Sequence, residues 1–171
     1  MGHLNIEIKA RSDNQESVRK ILREKGADFK GIDHQIDTYF RVPHGRLKLR
    51  EGQIENFLIH YERQETKGLK SSSITLFAAP VKSTLKEVLT KALDILTIVD
   101  KKREIYFIKN VKFHIDAVEG LGNFVEIEAI DNDDTIGKDE LSKQCDAYIK
   151  LFNIKQDNLV AASYSDLILE K

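Results

Sequence analysis

The sequence has one cysteine, Cys145, so no disulfide can form within the chain. It has almost no net charge, −1 at neutral pH, so no overall basic field points to nucleic acid. No stretch approaches the roughly 20 apolar residues of a membrane span. The opening MGHLNIEIKAR lacks the apolar run of a secretory signal. Met-Gly starts the chain, but Ile6 stands where an N-myristoylation signal needs Ser or Thr. These absences predict a cytoplasmic protein with neither a membrane nor a nucleic acid as partner. The two prolines, Pro43 and Pro80, fall at breaks between periodic segments, and no repeat or low-complexity tract interrupts the chain.

What is present is globular. At 171 residues, 41% hydrophobic and 32% charged, the chain can bury one core, so residues 1–171 are expected to form a single domain. Three segments have helical periodicity. The first follows Ser12, where Ser12 and Gln15 could form a capping box; Val18, Ile21 and Leu22 make its apolar stripe, and Gly26 suits its end. The second starts near Thr84 and places Leu85, Val88, Leu89, Ala92, Leu93 and Leu96 on one face. The third spans about 138–152, with Leu141, Cys145, Tyr148, Ile149 and Phe152 at helical spacing. A short turn or helix after Ser163 closes the chain.

Most of the remainder alternates with period 2, as half-buried strands do. Strands are expected at 3–11, 34–42, 46–51, 56–64, 72–80, 98–108, 111–119 and 122–130, with a hairpin turn at Glu119 to Gly122. So many strands between so few helices predict an α+β fold built on an antiparallel sheet or barrel.

Splitting each strand into its faces gives the chemistry. Ile6 and Ile8 share one side of the first strand; Asn5, Glu7, Lys9 and Arg11 share the other. Lys48 and Arg50 stand together, as do Tyr61 and Arg63, Lys101 and Arg103, and Glu126 and Glu128. Lys112, His114 and Asp116 share a face opposite Phe113 and Ile115. A solvated sheet face would mix both signs, whereas here three strands carry one sign: Lys48 with Arg50, Lys101 with Arg103, and Glu126 with Glu128. Like charges side by side repel, and that cost calls for a bound counter-charge: a polyanion for the cations, a metal ion for the carboxylates. If the sheet closes, these side chains line a tunnel while the aliphatic side packs under the helices.

At these residues the sequence resembles the CYTH superfamily, the triphosphate tunnel metalloenzymes. The family's N-terminal E-x-E-x-K strand is matched by Asn5 to Lys9, with Asn5 in place of the first glutamate. The stretch from Asp37 to Arg50, HYER (His60 to Arg63), V-x-K-x-R (Val99 to Arg103), HIDAVEGLGNFVEIEA (His114 to Ala129) and SYSDL (Ser163 to Leu167) match in order and spacing. The resemblance covers most of the chain and implies a closed or nearly closed antiparallel β-barrel with helices packed outside.

It also implies roles. Glu7, Glu126 and Glu128 would bind Mg²⁺ or Mn²⁺ and thereby serve catalysis, with Asp116 as a further ligand; hard oxygen donors suit those ions. Lys9, Lys48, Arg50, Arg63, Lys101 and Arg103 would clamp phosphate oxygens. Lys112 and His114 face inward as substrate-side candidates. Arg11, Arg46 and Lys102 read as ordinary surface charges, Tyr61 as lining and Cys145 as a buried thiol. Asp166, Ser163 and Tyr164 read as structural. Asn5 can ligate through its carbonyl but cannot neutralise a cation.

The implied partner is a triphosphate-bearing small molecule: ATP, inorganic triphosphate or thiamine triphosphate. The implied activity is like that of class IV adenylyl cyclases, making cyclic AMP and pyrophosphate. A triphosphatase and a non-catalytic polyphosphate-binding or nucleotide-binding module stand as alternatives. The family also implies a homodimer.

Overall fold

The computed structural model describes residues 2–63 and 68–171. Eight strands, β1 (Gly2–Arg11), β2 (Asp28–Phe40), β3 (Arg46–Glu51), β4 (Asn56–Arg63), β5 (Lys70–Ala78), β6 (Ile95–Ile108), β7 (Val111–Val118) and β8 (Gly122–Asp131), close into a barrel in the order β1-β5-β4-β3-β2-β6-β7-β8. Every neighbouring pair is antiparallel, and β1 pairs with both β5 and β8 to complete the circuit. Alternation allowed an antiparallel α+β sheet or barrel and the family resemblance implied the closed form; the barrel is closed, with β2 and β6 longer than their patterns suggested. Near the start of β2 the register against β6 shifts between Phe29 and Gly31. Gly31 adopts φ +123° there, a bulge conformation that side-chain-bearing residues rarely take.

The period-2 pattern decides what lies outside. Ile6, Ile8 and Ala10 of β1, Val111, Phe113 and Ile115 of β7, and Val125, Ile127 and Ala129 of β8 form one buried cluster. Helices α1 (Gln15–Glu24) and α3 (Lys138–Leu151) complete it, through Val18 and Leu22 and through Leu141 and Cys145. Phe113 meets the rings of Tyr148 and Phe152 edge-on at 4.7 and 5.6 Å. Cys145 is the buried thiol its position foretold; burial pushes it up to about 12. Helix α4 (Tyr164–Leu169) is the short C-terminal helix, capped by Ser163, whose Oγ accepts from the Asp166 backbone N–H.

Two local expectations differ. The first helix is capped by Asn14, which accepts from Ser17 N at 3.1 Å, rather than by Ser12. Helix α2 (Leu85–Leu93) buries none of its residues, and Val88 is 57% exposed, while Leu96 belongs to β6. The helix meets the barrel at β2. On β4 and β5 the apolar residues Ile59, Ile74 and Leu76 line the interior, and Ser71, Ser73 and Thr75 take the alternate positions.

Candidate active site

The charged faces meet inside the barrel. Glu7, Lys9, Lys48, Arg50, Lys101, Arg103, Lys112, His114, Glu126 and Glu128 all line one cavity of about 350 Å³. They come from five separate strands, and each was singled out from sequence. Asp116 is fully buried beside Arg103, and the Arg63 side chain lies outside the described residues.

The charges are segregated along the wall. Lys48, Arg50 and Lys101 converge on one carboxylate, Asp37. Arg50 donates Nε and Nη2 to it at 2.9 and 2.8 Å, Lys101 Nζ lies 2.7 Å away and Lys48 Nζ 3.3 Å. Burial alone would raise the Asp37 carboxyl, but Arg50, Lys101 and Lys48 hold it well below the ordinary range. Burial pushes Lys101 well down, and the cations Arg50, Arg103 and Lys48 add to that against Asp37. Counting Glu55, which also meets Arg50 at 3.3 Å, three cations share two carboxylates, and a surplus of positive charge remains in the wall. A multivalent anion would relieve it.

Across the cavity the surplus is negative. Glu7 and Glu128 are direct cross-strand partners on β1 and β8, and Glu126 stands two residues from Glu128 on the same face. Burial, together with the charges of Glu7 and Glu126, raises the Glu128 carboxyl despite Lys112 and the Asn5 hydrogen bond. Glu126 is buried yet held low by Lys9, His114 and Arg103. Asn5 donates Nδ2 to Glu128 at 2.6 Å, and its buried Oδ1 has no hydrogen-bond partner among the described residues. Crowded carboxylates plus an orphaned amide oxygen make an oxygen-rich donor set that fits Mg²⁺ or Mn²⁺. His114, Asp116 and Glu126 also bring one ligand atom each within 4.8 Å of one another, and such a group could hold a metal ion.

Arg103 stitches this side together. It donates to both oxygens of Asp116, at 2.8 and 2.7 Å, and to Glu126 at 2.9 Å. Tyr164 of α4 donates its hydroxyl to Asp116 at 2.7 Å, and Lys9 Nζ sits 4.0 Å above its ring. Burial, with Arg103 adding to it, keeps His114 neutral down to about pH 4, and its Nε2 is buried with no partner among the described residues.

Several residues of the cavity or its support were not singled out from sequence. Asp33, Gln35 and Asp37 alternate on the inward face of β2, and reading that alternation as a face would have found them. Glu55 enters from the loop before β4, where no periodicity applies. Lys70 is buried and donates to Val160 O at 3.1 Å, fixing the chain that leads into α4. Phe57, Ile59, Ile74 and Leu76 join Tyr61, read from sequence as lining, in an apolar flank on β4 and β5. Arg46, expected at the surface as an ordinary charge, pairs with Asp166 at 2.9 Å and ties β3 to α4.

A CYTH domain model matches residues 3–164. A Methanocaldococcus jannaschii protein named as a candidate adenylate cyclase is 28% identical, over 96% of this chain and 98% of its own. A solved structure from Pyrococcus horikoshii superposes with a TM-score of 0.75 at 24% identity, covering 95% of this chain and 98% of that one. A Hippeastrum protein, described as a candidate adenylyl cyclase with a dominant triphosphatase activity, shares the fold. Its TM-score is 0.61 at 12% identity, over 98% of this chain and 94% of that one. Barrel, inward charges and family match agree: the chain belongs to the CYTH domain family.

Proposed function

We propose that the protein is a divalent-metal-dependent enzyme acting on organic triphosphates, with ATP to cyclic AMP and pyrophosphate as the leading reaction. The observation that carries this reading is the segregation of charge within one cavity, with Lys48, Arg50 and Lys101 around a single Asp37 and Glu7, Glu126 and Glu128 opposite. A phosphate chain bridging the two sides neutralises the first, and a metal ion neutralises the second.

In this reading Glu7, Glu126 and Glu128 hold Mg²⁺ or Mn²⁺, with Asn5 Oδ1 in reach of the same region. Bound there, the ion supplies charge neutralisation on phosphate oxygens. Lys9, Lys48, Arg50, Arg63, Lys101 and Arg103 bind and orient the phosphates, and Lys112 and His114 border them. Asp116 acts mainly by holding Arg103 in place. Positioning and preorganised charge are the main sources of rate in phosphoryl and nucleotidyl transfer. In the cyclase reaction the ribose 3′-oxygen bonds to the α-phosphorus and the α–β bridging bond breaks. Pyrophosphate leaves with the bonding pair, and the hydroxyl proton is released.

The apolar flank of Phe57, Ile59, Tyr61, Ile74 and Leu76 favours a substrate with an organic group over inorganic triphosphate. A triphosphatase is the second reading, since the same clamp serves attack by water at the terminal phosphorus. Among the described residues no helix is long and apolar enough to cross a membrane. A cytoplasmic, single-domain chain working as a homodimer accompanies the proposal.

The test is a substrate panel: ATP, inorganic triphosphate and thiamine triphosphate with Mg²⁺ and with Mn²⁺, the products resolved by chromatography. Cyclic AMP with pyrophosphate is expected from ATP. Orthophosphate with the matching diphosphate (ADP from ATP) and no cyclic AMP assigns the triphosphatase, and tight binding without turnover removes catalysis from the account.

A further inference from the structure

The loop joining β3 to β4 is pinned from inside. Asp33, fully buried on β2, accepts the backbone N–H groups of Gln53 at 2.6 Å and of Ile54 and Glu55 at 3.0 Å each. The loop packs so closely that a Cβ on Gly52 would lie 2.6 Å from an Asp33 oxygen, so glycine is required there. This anchorage turns the Glu55 side chain into the cavity. Its Oε1 accepts from Gln35 Nε2 at 3.0 Å and from Arg50 Nη1 at 3.3 Å, and its Oε2 pairs with Lys112 Nζ. Arg50 stands on β3 and Lys112 on β7, with β2 and β6 between them in the barrel, so one carboxylate links two walls. Burial opposes its charge, but Lys112 and Arg50 hold it ionised.

A fixed carboxylate between two phosphate-binding candidates occupies the place of an anion. We propose that Glu55 is a specificity-determining residue, a built-in anionic stop that limits the length of the polyphosphate chain the tunnel accepts. The inference rests on the triphosphate reading of the cavity. A chain extended past Arg50 meets a like charge, and it finds Lys112 already neutralised. Like-charge juxtaposition in a desolvated site discriminates strongly between otherwise similar ligands. Gln35 and the pinned loop backbone keep Glu55 in position, so the stop is rigid.

Calorimetric titration of linear inorganic triphosphate and tetraphosphate, with Mg²⁺, into wild type and Glu55→Gln tests it. The expected result is a shift of about tenfold or more toward tetraphosphate in the ratio of the two affinities, equivalent to roughly 1.4 kcal/mol. Glutamine keeps a side chain of the same length, and Asp33 still holds the loop; Glu55→Ala provides a second variant and is expected to shift the ratio the same way. A purely structural role would change stability or both affinities alike, and an unchanged ratio overturns the proposal. Wild type that binds triphosphate with no change of ratio in the variants refutes the stop alone. Wild type that binds neither anion refutes the triphosphate reading with it.

Discussion

Replacing Asp37 with asparagine is expected to destabilise the protein by about 3–5 kcal/mol, the range for stripping one partner from a buried ion pair. Inorganic triphosphate is expected to recover most of that loss. The cause is local. Asp37 is the carboxylate on which Arg50, Lys101 and Lys48 all converge, at distances of 2.7 to 3.3 Å. Without its charge, Lys48 and Lys101 lose the carboxylate they share and Arg50 keeps Glu55, in a wall from which water is largely excluded. A bound polyanion then supplies what the side chain no longer does, so triphosphate should raise the variant's stability more than the wild type's. The pH dependence follows the same sign. The Asp37 carboxyl is held below its ordinary value of 3.8 in the folded state. Its contribution is therefore present above about pH 4 and is lost as pH falls through the folded value. Urea unfolding with and without triphosphate, at pH 7 and in acid, reads both effects. Equal stability of variant and wild type without anion would remove the cation surplus from the account.

Glu126→Gln is expected to lower metal-dependent turnover of the triphosphate by about 100–1,000-fold while leaving the barrel folded. Glutamine keeps the shape but removes the charge that faces Lys9, His114 and Arg103. The fold should survive because Arg103 remains bonded to both oxygens of Asp116 and Asp116 to Tyr164. Steady-state rates with Mg²⁺ and Mn²⁺, paired with a circular dichroism spectrum, decide it. Full activity in a folded variant takes Glu126 out of the site.

Much of this architecture was legible because strands obey a period of two wherever one side is apolar. In β1, β7 and β8, aliphatic residues alternate with charges, so the outer core and the inner face were assigned together from Ile6 and Glu7, Phe113 and His114, Ile127 and Glu128. The third helix was equally plain, since Leu141 and Cys145 recur at helical spacing and both end up fully buried. Helix α2 shows where the rule stops. Its apolar stripe is as regular as that of α3, but burial depends on what lies opposite, and none of its residues is buried. Periodicity reports that a face is apolar, not that a partner surface exists.

The site divides the same way. Side chains on regular strands, from Lys9 to Glu128, were placed correctly on the cavity wall because register alone fixes their direction. Glu55 was out of reach, since its entry depends on a loop conformation set by Asp33, some twenty residues earlier in the chain. Pairings such as Arg50 with Asp37 depend on which strands neighbour each other, which no local pattern states. Asn5 is instructive in another way. Its amide donates to Glu128 and leaves an oxygen buried without a partner among the described residues, so a neutral residue at that position still contributes to the carboxylate wall.

A crystal structure with Mn²⁺ and a non-hydrolysable ATP analogue tests the central claim most directly, because manganese is located independently by its anomalous scattering. The account predicts manganese at the carboxylates of Glu126 and Glu128, with the phosphates reaching across the barrel to Lys48, Arg50 and Lys101. A triphosphate seated outside the barrel, or manganese bound away from those glutamates, would contradict it.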